Sequence, residues 1–262
     1  MRINSLSSAL GAEILEVNLA EPIDASLLVA IKAAFAQYHL LVFRRQTLNE
    51  DQLVTVSRYF AEPVESLHPT FKVPTHPVIT KYSNMVNDNQ EPAGAMAPEL
   101  IWHSDSYFTD NPNKVTIFYS LLSPNEGGET HFVNMCTAYA DLDEATKSKI
   151  ENQKAFYKNA FIHRPPVLHP LVRQEANQPK ALFANIHRAL GIEGMETEAA
   201  MRLLHSLYEH STQPERVYRH KWQDGDLAIW NNPTTMHCAT EIPATQQRLL
   251  YRILTKGELP VT

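Results

Sequence analysis

Two residues in the run Trp102-His103-Ser104-Asp105 have the types and spacing to hold a metal ion. In an extended segment, residues two apart point to the same side. His103 and Asp105 would therefore present an imidazole and a carboxylate to one point. Taken alone, His-x-Asp is a weak signal, because surface pairs of this kind occur by chance. A third candidate is His237, in NNPTTMHCAT (Asn231 to Thr240), just after a segment that reads as a strand ending at Trp230. Two imidazoles and one carboxylate on one face of an octahedron leave three positions open, the donor set of mononuclear non-haem Fe(II) oxygenases. Open positions of that kind can take a bidentate 2-oxo acid and then O2. Arg248 lies eleven residues beyond His237, and Arg252 follows on the same stretch. Their even spacing on an expected strand turns both the same way. Inward guanidinium groups are costly unless they meet anions, and a carboxylate is the natural partner for the guanidinium fork.

These side chains need a scaffold. Asp24 caps an expected helix with Leu27, Leu28, Ile31, Ala34 and Phe35 on one face. Thr47 to Glu50 has the form of a capping box for a second helix carrying Leu53, Val56 and Phe60. Between them, His39 to Arg44 reads as a buried strand. The stretch from Glu65 to Glu99 is rich in Pro, Asn and His and reads mostly as loop, with one strand near Val78 to Tyr82. Its part from Asn84 to Ala97 has no usable period and is a candidate lid. Strands are expected at Val115 to Leu122, Thr130 to Met135, Ala181 to Ile186, Arg216 to Trp222, Asp226 to Trp230 and Arg248 to Thr255. A further helix is expected over Thr197 to Ser211. Asp224-Gly225 reads as a tight hairpin turn joining two of the strands. Many strands following helices give an α+β expectation: a double-stranded β-helix, or jelly roll, with flanking helices. No repeat or linker interrupts the chain, so residues 1–262 read as a single domain.

Bulk properties exclude more than they assert. The formal net charge is −6 and no block of Lys and Arg stands out, so a nucleic-acid surface is not expected. No stretch of about 18 apolar residues suggests a membrane span, and the N-terminus lacks the pattern of a signal peptide. The two cysteines, Cys136 and Cys238, are far apart and form no C-x-x-C unit, which favours a reducing cytoplasm. Twelve histidines are weak evidence for metal by number alone, so position must decide.

Five motifs in this order, WHSDSYF, SPNEGGETHFVNM, LHPLVR, KWQDGDLAIWNNPTTMH and QQRLLYR, resemble the taurine dioxygenase and 2,4-dichlorophenoxyacetate dioxygenase family. GAEILEVNLAEPI and LLVFR match that family's opening, so the resemblance covers nearly the whole chain. It implies an Fe(II)- and 2-oxoglutarate-dependent dioxygenase that takes O2 and acts on a small molecule. By the same resemblance, His103, Asp105 and His237 match the metal ligands and Thr130 matches a threonine that bonds the 2-oxoglutarate carboxylate. Arg248 matches the arginine that pairs with the distal carboxylate, while Arg252 and His68 match substrate-contacting positions. A homo-oligomer is a family expectation that nothing in the chain itself shows. Asn231-Asn232-Pro233 and Asn185-Ile186-His187-Arg188 depart from the family's usual residues without removing a ligand.

Two other readings compete. One is a non-catalytic metal-binding or sensory protein on the same fold; the retained ligands and Arg248 argue against it. The other is a Zn(II) or Mn(II) hydrolase or isomerase using the same three ligands, against which Thr130 and Arg248 argue.

Overall fold

The computed structural model describes residues 1–66, 70–95, 101–158, 164–175 and 178–257. His68 lies outside the described residues, as does the end of the candidate lid. In the N-terminal part, β1 (Arg2–Ser5) and β2 (Ala12–Leu15) precede α1 (Ala25–Tyr38), β3 (Leu40–Phe43) and α2 (Glu50–Phe60). Next come β4 (Lys72–Val73), β5 (His76–Ser83), β6 (Val115–Leu122), β7 (Thr130–Asn134), α3 (Met135–Ala140) and α4 (Glu144–Ile150). Short strands follow: β8 (Lys154–Tyr157), β9 (Val167–Pro170), β10 (Val172–Gln174), β11 (Lys180–Leu182) and β12 (Ala189–Ile192). The chain then forms α5 (Thr197–Ser211), β13 (Tyr218–His220), β14 (Leu227–Asn231), β15 (Thr235–Ala239) and β16 (Leu249–Leu254).

The fold is α+β. Eight strands form the main sheet in the order β1-β2-β3-β14-β6-β16-β5-β4, and a smaller sheet has the order β13-β7-β15. Two-residue alternation sorts the main sheet's side chains. Leu41, Phe43, Ile117, Tyr119, Ile229 and Ile253 turn outward, where Ile31 and Ala34 of α1 and Leu53 and Val56 of α2 cover them. Leu40, Val42, Phe118, Ala228, Trp230 and Leu250 turn the other way and pack with Phe132 and Tyr218 of the smaller sheet. Alternation in β16 therefore sends Arg252 to the side shared with the smaller sheet, and Arg248, just before the strand, reaches the Gly128 carbonyl.

Both N-terminal helices form for the expected reason, with one correction. The Asp24 side chain accepts the Leu27 N–H at 2.8 Å. The second cap is Asn49, not Thr47. Its side chain accepts the Gln52 N–H at 2.9 Å and the Gln52 side chain accepts the Asn49 N–H, a closed capping box. The Asp224-Gly225 turn is corrected as well. It joins no hairpin, because β13 pairs with β7 whereas β14 pairs with β3 and β6. Every residue of β14 is buried, so that strand needs a partner on each edge. Gly225 has φ +79°, and an added Cβ would lie 2.7 Å from the Gln46 carbonyl oxygen, so the crossing between sheets requires glycine. The strand expected over Ala181 to Ile186 ends at Leu182, which frees Asn185 for another task. Helices α3 and α4, capped by Asn134 and Asp143, are additions to the sequence reading. Among the described residues no helix is long and apolar enough to cross a membrane.

One buried histidine gives the fold a measurable pH dependence. His169 on β9 is 5% exposed; burial, and then Arg173 beside it, push its pKa down to about 4. Its unfolded value is about 6.5. The unfolded chain therefore binds the extra proton first, and stability present above about pH 6.5 is lost as pH falls towards 4. His169 alone accounts for about 3 kcal/mol over that window. Denaturant unfolding of the metal-free protein and of a His169→Gln variant, followed against pH, should show the acid loss reduced in the variant by that amount.

Candidate active site

The three candidate ligands converge because the middle of β15, an isolated bridge to it and one turn are tied together. His103 and His237 form an isolated antiparallel bridge, with the His103 N–H donating to the His237 carbonyl at 3.0 Å and the reverse bond at 2.8 Å. Their rings sit side by side, centroids 4.3 Å apart. Just beyond Asp105 the chain reverses at Ser106, whose φ is +56°. That reversal turns the carboxylate back toward the imidazoles. One ligand atom from each of His103, Asp105 and His237 lies within 4.8 Å of the others. Asp105 Oδ1 is 3.9 Å from His103 Nε2, and Asp105 Oδ2 is 3.9 Å from His237 Nε2. His103 Nδ1 is 2.8 Å from the Ile101 carbonyl, so that nitrogen carries the proton and Nε2 presents its lone pair to the site. The His237 ring is wedged against Trp230 at 4.9 Å and Phe132 at 6.1 Å. The donor set fits a divalent iron: two neutral nitrogens and one anionic oxygen, clustered and mostly buried.

Electrostatics keep His237 and Asp105 in their binding forms. Burial and the neighbouring His103 push His237 down to about 3, so the ring is neutral at physiological pH. Burial alone would raise the pKa of Asp105. The surrounding His237, Arg252 and His103 and a hydrogen bond from Thr116 reverse that and leave it below the usual carboxylate value. With His237 neutral, the cation that acts is Arg252, whose Nη1 is 3.4 Å from Asp105 Oδ1. Thr116 Oγ1 donates to the other oxygen at 2.8 Å.

Residues the sequence reading did not assign hold this arrangement. Asn232 clamps the backbone of Asp105: its Oδ1 accepts the Asp105 N–H at 2.6 Å and its Nδ2 donates to the Asp105 carbonyl at 2.9 Å. The same amide donates to the Asn113 carbonyl at 2.8 Å. Asn185 Oδ1 accepts the Ser104 N–H at 2.7 Å, and Ser104 Oγ donates to the Thr235 carbonyl at 2.9 Å. Both asparagines brace the ligand turn. Asn232→Ala removes a fully buried clamp. It should weaken iron binding about 10- to 100-fold, the usual cost of losing a ligand's support. A competitive chelator titration of wild type and variant measures this; equal affinities would deny Asn232 that part.

A second set of groups lies beside the triad. Arg248 is 6% exposed, and its Nη1 donates to the Gly128 carbonyl at 3.3 Å. Its backbone is pinned by Asn84 Oδ1, which accepts its N–H at 2.9 Å, and by Ser83 Oγ, which donates to its carbonyl at 2.8 Å. Among the described residues no carboxylate lies within ion-pair distance of it, and its Nε has no hydrogen-bond partner. Burial lowers its pKa to about 10, so the charge remains at neutral pH. Thr130 opens β7, two residues after Gly128, and is buried. Arg252 lies over the Tyr82 ring, 4.5 Å from its centroid. The structure therefore brings six of the seven sequence candidates into one region, and His68 lies outside the described residues. Tyr107 and Trp230 are core side chains. His131 rests on Glu129 and His220 lies against Asp226, both away from the triad.

A buried His-Asp-His triad beside an unneutralised guanidinium, on a sheet scaffold of this kind, defines an oxygenase that binds a metal and a dicarboxylate together. The chain belongs to the taurine catabolism dioxygenase TauD, TfdA family, whose model matches residues 2–254. It is 33% identical to the alpha-ketoglutarate-dependent 2,4-dichlorophenoxyacetate dioxygenase of Burkholderia sp. strain RASC, over 84% of this chain and 82% of that protein. It is 28% identical to the alpha-ketoglutarate-dependent sulfate ester dioxygenase of Pseudomonas putida, over 99% of this chain and 90% of that protein. A crystal structure of a taurine dioxygenase from Burkholderia xenovorans superposes with a TM-score of 0.87 at 29% identity, covering 99% of this chain and 90% of that one. That of AAD-2 in complex with Mn(II) and N-oxalylglycine gives 0.83 at 26% identity, covering 100% of this chain and 99% of that one. The protein is an Fe(II)- and 2-oxoglutarate-dependent dioxygenase, consuming O2 with its cosubstrate.

Proposed function

We propose that this dioxygenase oxidises an unactivated C–H bond of a small metabolite bearing a carboxylate or sulfonate, releasing succinate and CO2. In this reading His103, Asp105 and His237 hold the iron, Arg248 and Thr130 hold 2-oxoglutarate, and Arg252 meets the substrate's anionic group. His68 is assigned to the substrate by family likeness alone. The scaffold is a single double-stranded β-helix domain over residues 1–262, working in the cytoplasm as a homo-oligomer.

The observation that carries the assignment is Arg248, a buried, charged guanidinium with no carboxylate of the described chain beside it. Such a group is costly to bury alone, and a dicarboxylate cosubstrate supplies the missing counter-charge in a forked pair. When bound, the iron supplies activation of O2 and the oxidising equivalent that removes hydrogen from the substrate. The chain's own residues do the rest. His237 offers a neutral nitrogen, His103 turns its Nε2 lone pair to the site, and Asp105 stays ionised at physiological pH. Thr116 and Arg252 hold the Asp105 carboxylate in place. Phe118, Phe132 and Trp230 wall the site with aromatic surface that excludes water. Asp105 also fills the position that related halogenases leave open for halide, which favours hydroxylation, desaturation, carbon–heteroatom cleavage or isonitrile formation over halogenation. The substrates for which two relatives are named, 2,4-dichlorophenoxyacetate and a sulfate ester, are anionic, which supports the substrate class.

The test is succinate formation from 2-oxoglutarate by the Fe(II)-loaded enzyme in the presence of a panel of small carboxylates, sulfonates and their uncharged amides. Anionic members should accelerate succinate release and their amides should not. Acceleration by the amides equal to that by the acids would contradict the anionic-substrate reading.

A further inference from the structure

Thr130 Oγ1 accepts a hydrogen bond from the indole Nε1–H of Trp222 at 3.0 Å. An indole N–H can only donate, whereas a threonine hydroxyl donates once and accepts. The contact therefore occupies a lone pair of the oxygen and leaves the hydroxyl hydrogen to be given to something else. Among the described residues it has no acceptor, although Thr130 is buried. A carboxylate accepts and never donates. The Trp222 bond thus fixes the hydroxyl in the polarity that a carboxylate ligand requires.

Trp222 is itself held firmly. It is buried, packs edge-on against the His220 ring with centroids 4.5 Å apart, and lies 6.1 Å from Phe118. His220 is fixed in turn by the Tyr218 hydroxyl 3.2 Å from Nδ1 and by the Asp226 carboxylate 3.4 Å from Nε2. Asp226 is ion-paired with Arg44 and accepts the Gln223 N–H at 2.8 Å. Ion pairing from Arg44 to Asp226, the proximity of Asp226 to His220 and ring packing of His220 on Trp222 thus lead to the hydrogen bond on the Thr130 hydroxyl.

We propose that Trp222 is a positioning residue for the cosubstrate, aiming the Thr130 hydroxyl at the carboxylate that Arg248 also meets. The inference rests on the reading of Thr130 and Arg248 as 2-oxoglutarate contacts. Trp222→Phe keeps an aromatic wedge and removes the N–H. Binding of 2-oxoglutarate and of 2-oxobutyrate, which has the same oxo-acid head but no distal carboxylate, is measured by calorimetry on anaerobic Fe(II)-loaded protein. The Kd for 2-oxoglutarate should rise about tenfold in Trp222→Phe, the size of one misdirected hydrogen bond to a charged group. The Kd for 2-oxobutyrate should stay within about twofold of wild type, as expected when no distal carboxylate is present to lose a bond. Thr130→Val should weaken 2-oxoglutarate at least as much, and the double variant should be no weaker than Thr130→Val alone. Equal weakening of both acids by Trp222→Phe would mark a merely structural tryptophan and overturn the proposal. A normal 2-oxoglutarate Kd in Trp222→Phe, with Thr130→Val impaired, would overturn it while leaving the Thr130 reading intact. An unchanged Kd in Thr130→Val would instead refute the reading on which it rests. If Trp222→Phe folds poorly, a benzothiophene side chain at that position, the same shape without the N–H, carries the same comparison.

Discussion

Asp105→Ala should leave a protein that no longer retains iron after desalting and turns over at least about 10³-fold more slowly, the scale expected when a metal-dependent step loses its metal. Asp105 is the one anionic ligand in the cluster, and its carboxylate is 5% exposed. Two neutral imidazoles remain in the variant, too few donors of too little charge for a hard divalent ion. Neither neighbour restores the lost charge: the Arg252 guanidinium is a cation that only donates, and the Thr116 hydroxyl is neutral. The variant should still fold, since Asn232 holds the turn through the backbone of residue 105 rather than through its side chain. Iron content, succinate yield and circular dichroism of the same preparation check this together. A folded Asp105→Ala protein that binds iron and turns over normally would remove Asp105 from the site.

Arg248→Gln should raise the KM for 2-oxoglutarate about 10²-fold while changing kcat much less. Lost pairing to a charged, forked partner costs about 3 kcal/mol, which is roughly two powers of ten in affinity. The same variant should make the metal-free, cosubstrate-free protein about 1–3 kcal/mol more stable, because it removes a buried charge that has no counter-ion. Opposite signs for function and stability distinguish a ligand-binding arginine from a structural one, whose loss would harm both. Arg248→Lys should recover only part of the affinity, since an ammonium is a point charge without the fork. Cosubstrate binding through Arg248 should also persist unchanged across the neutral range, because burial lowers its pKa only to about 10 and a bound carboxylate favours the charged guanidinium. Steady-state kinetics against 2-oxoglutarate and thermal unfolding of the apoprotein measure both halves.

The ligands were legible in the sequence for a physical reason. A metal site needs specific side-chain types, and a two-residue spacing in extended chain states their common direction, so His103 and Asp105 formed a weak signal that His237 and the two arginines strengthened. The even spacing of Arg248 and Arg252 worked the same way. What supports the ligands was not legible. Asn232 reaches Asp105 across 127 positions, and Asn185 reaches Ser104 across 81, which no local pattern encodes. Thr116 faces the site only because β6 lies between β14 and β16, and that order is a property of the assembled sheet. The same limit explains the Asp224-Gly225 turn, where glycine signalled a sharp reversal but not the sheet receiving the next strand. Thr47 and Asn49 both have capping chemistry; the choice fell to Asn49 because Gln52 stands where it can return the bond.

The most direct test of the central claim is anaerobic titration of the metal-free protein with Fe(II) and then 2-oxoglutarate, watched in the visible spectrum. The arrangement of His103, Asp105, His237 and Arg248 predicts a weak metal-to-ligand charge-transfer band that appears only when both are present and is absent in Asp105→Ala. No band from a folded, iron-loaded wild-type protein saturated with 2-oxoglutarate would contradict the account.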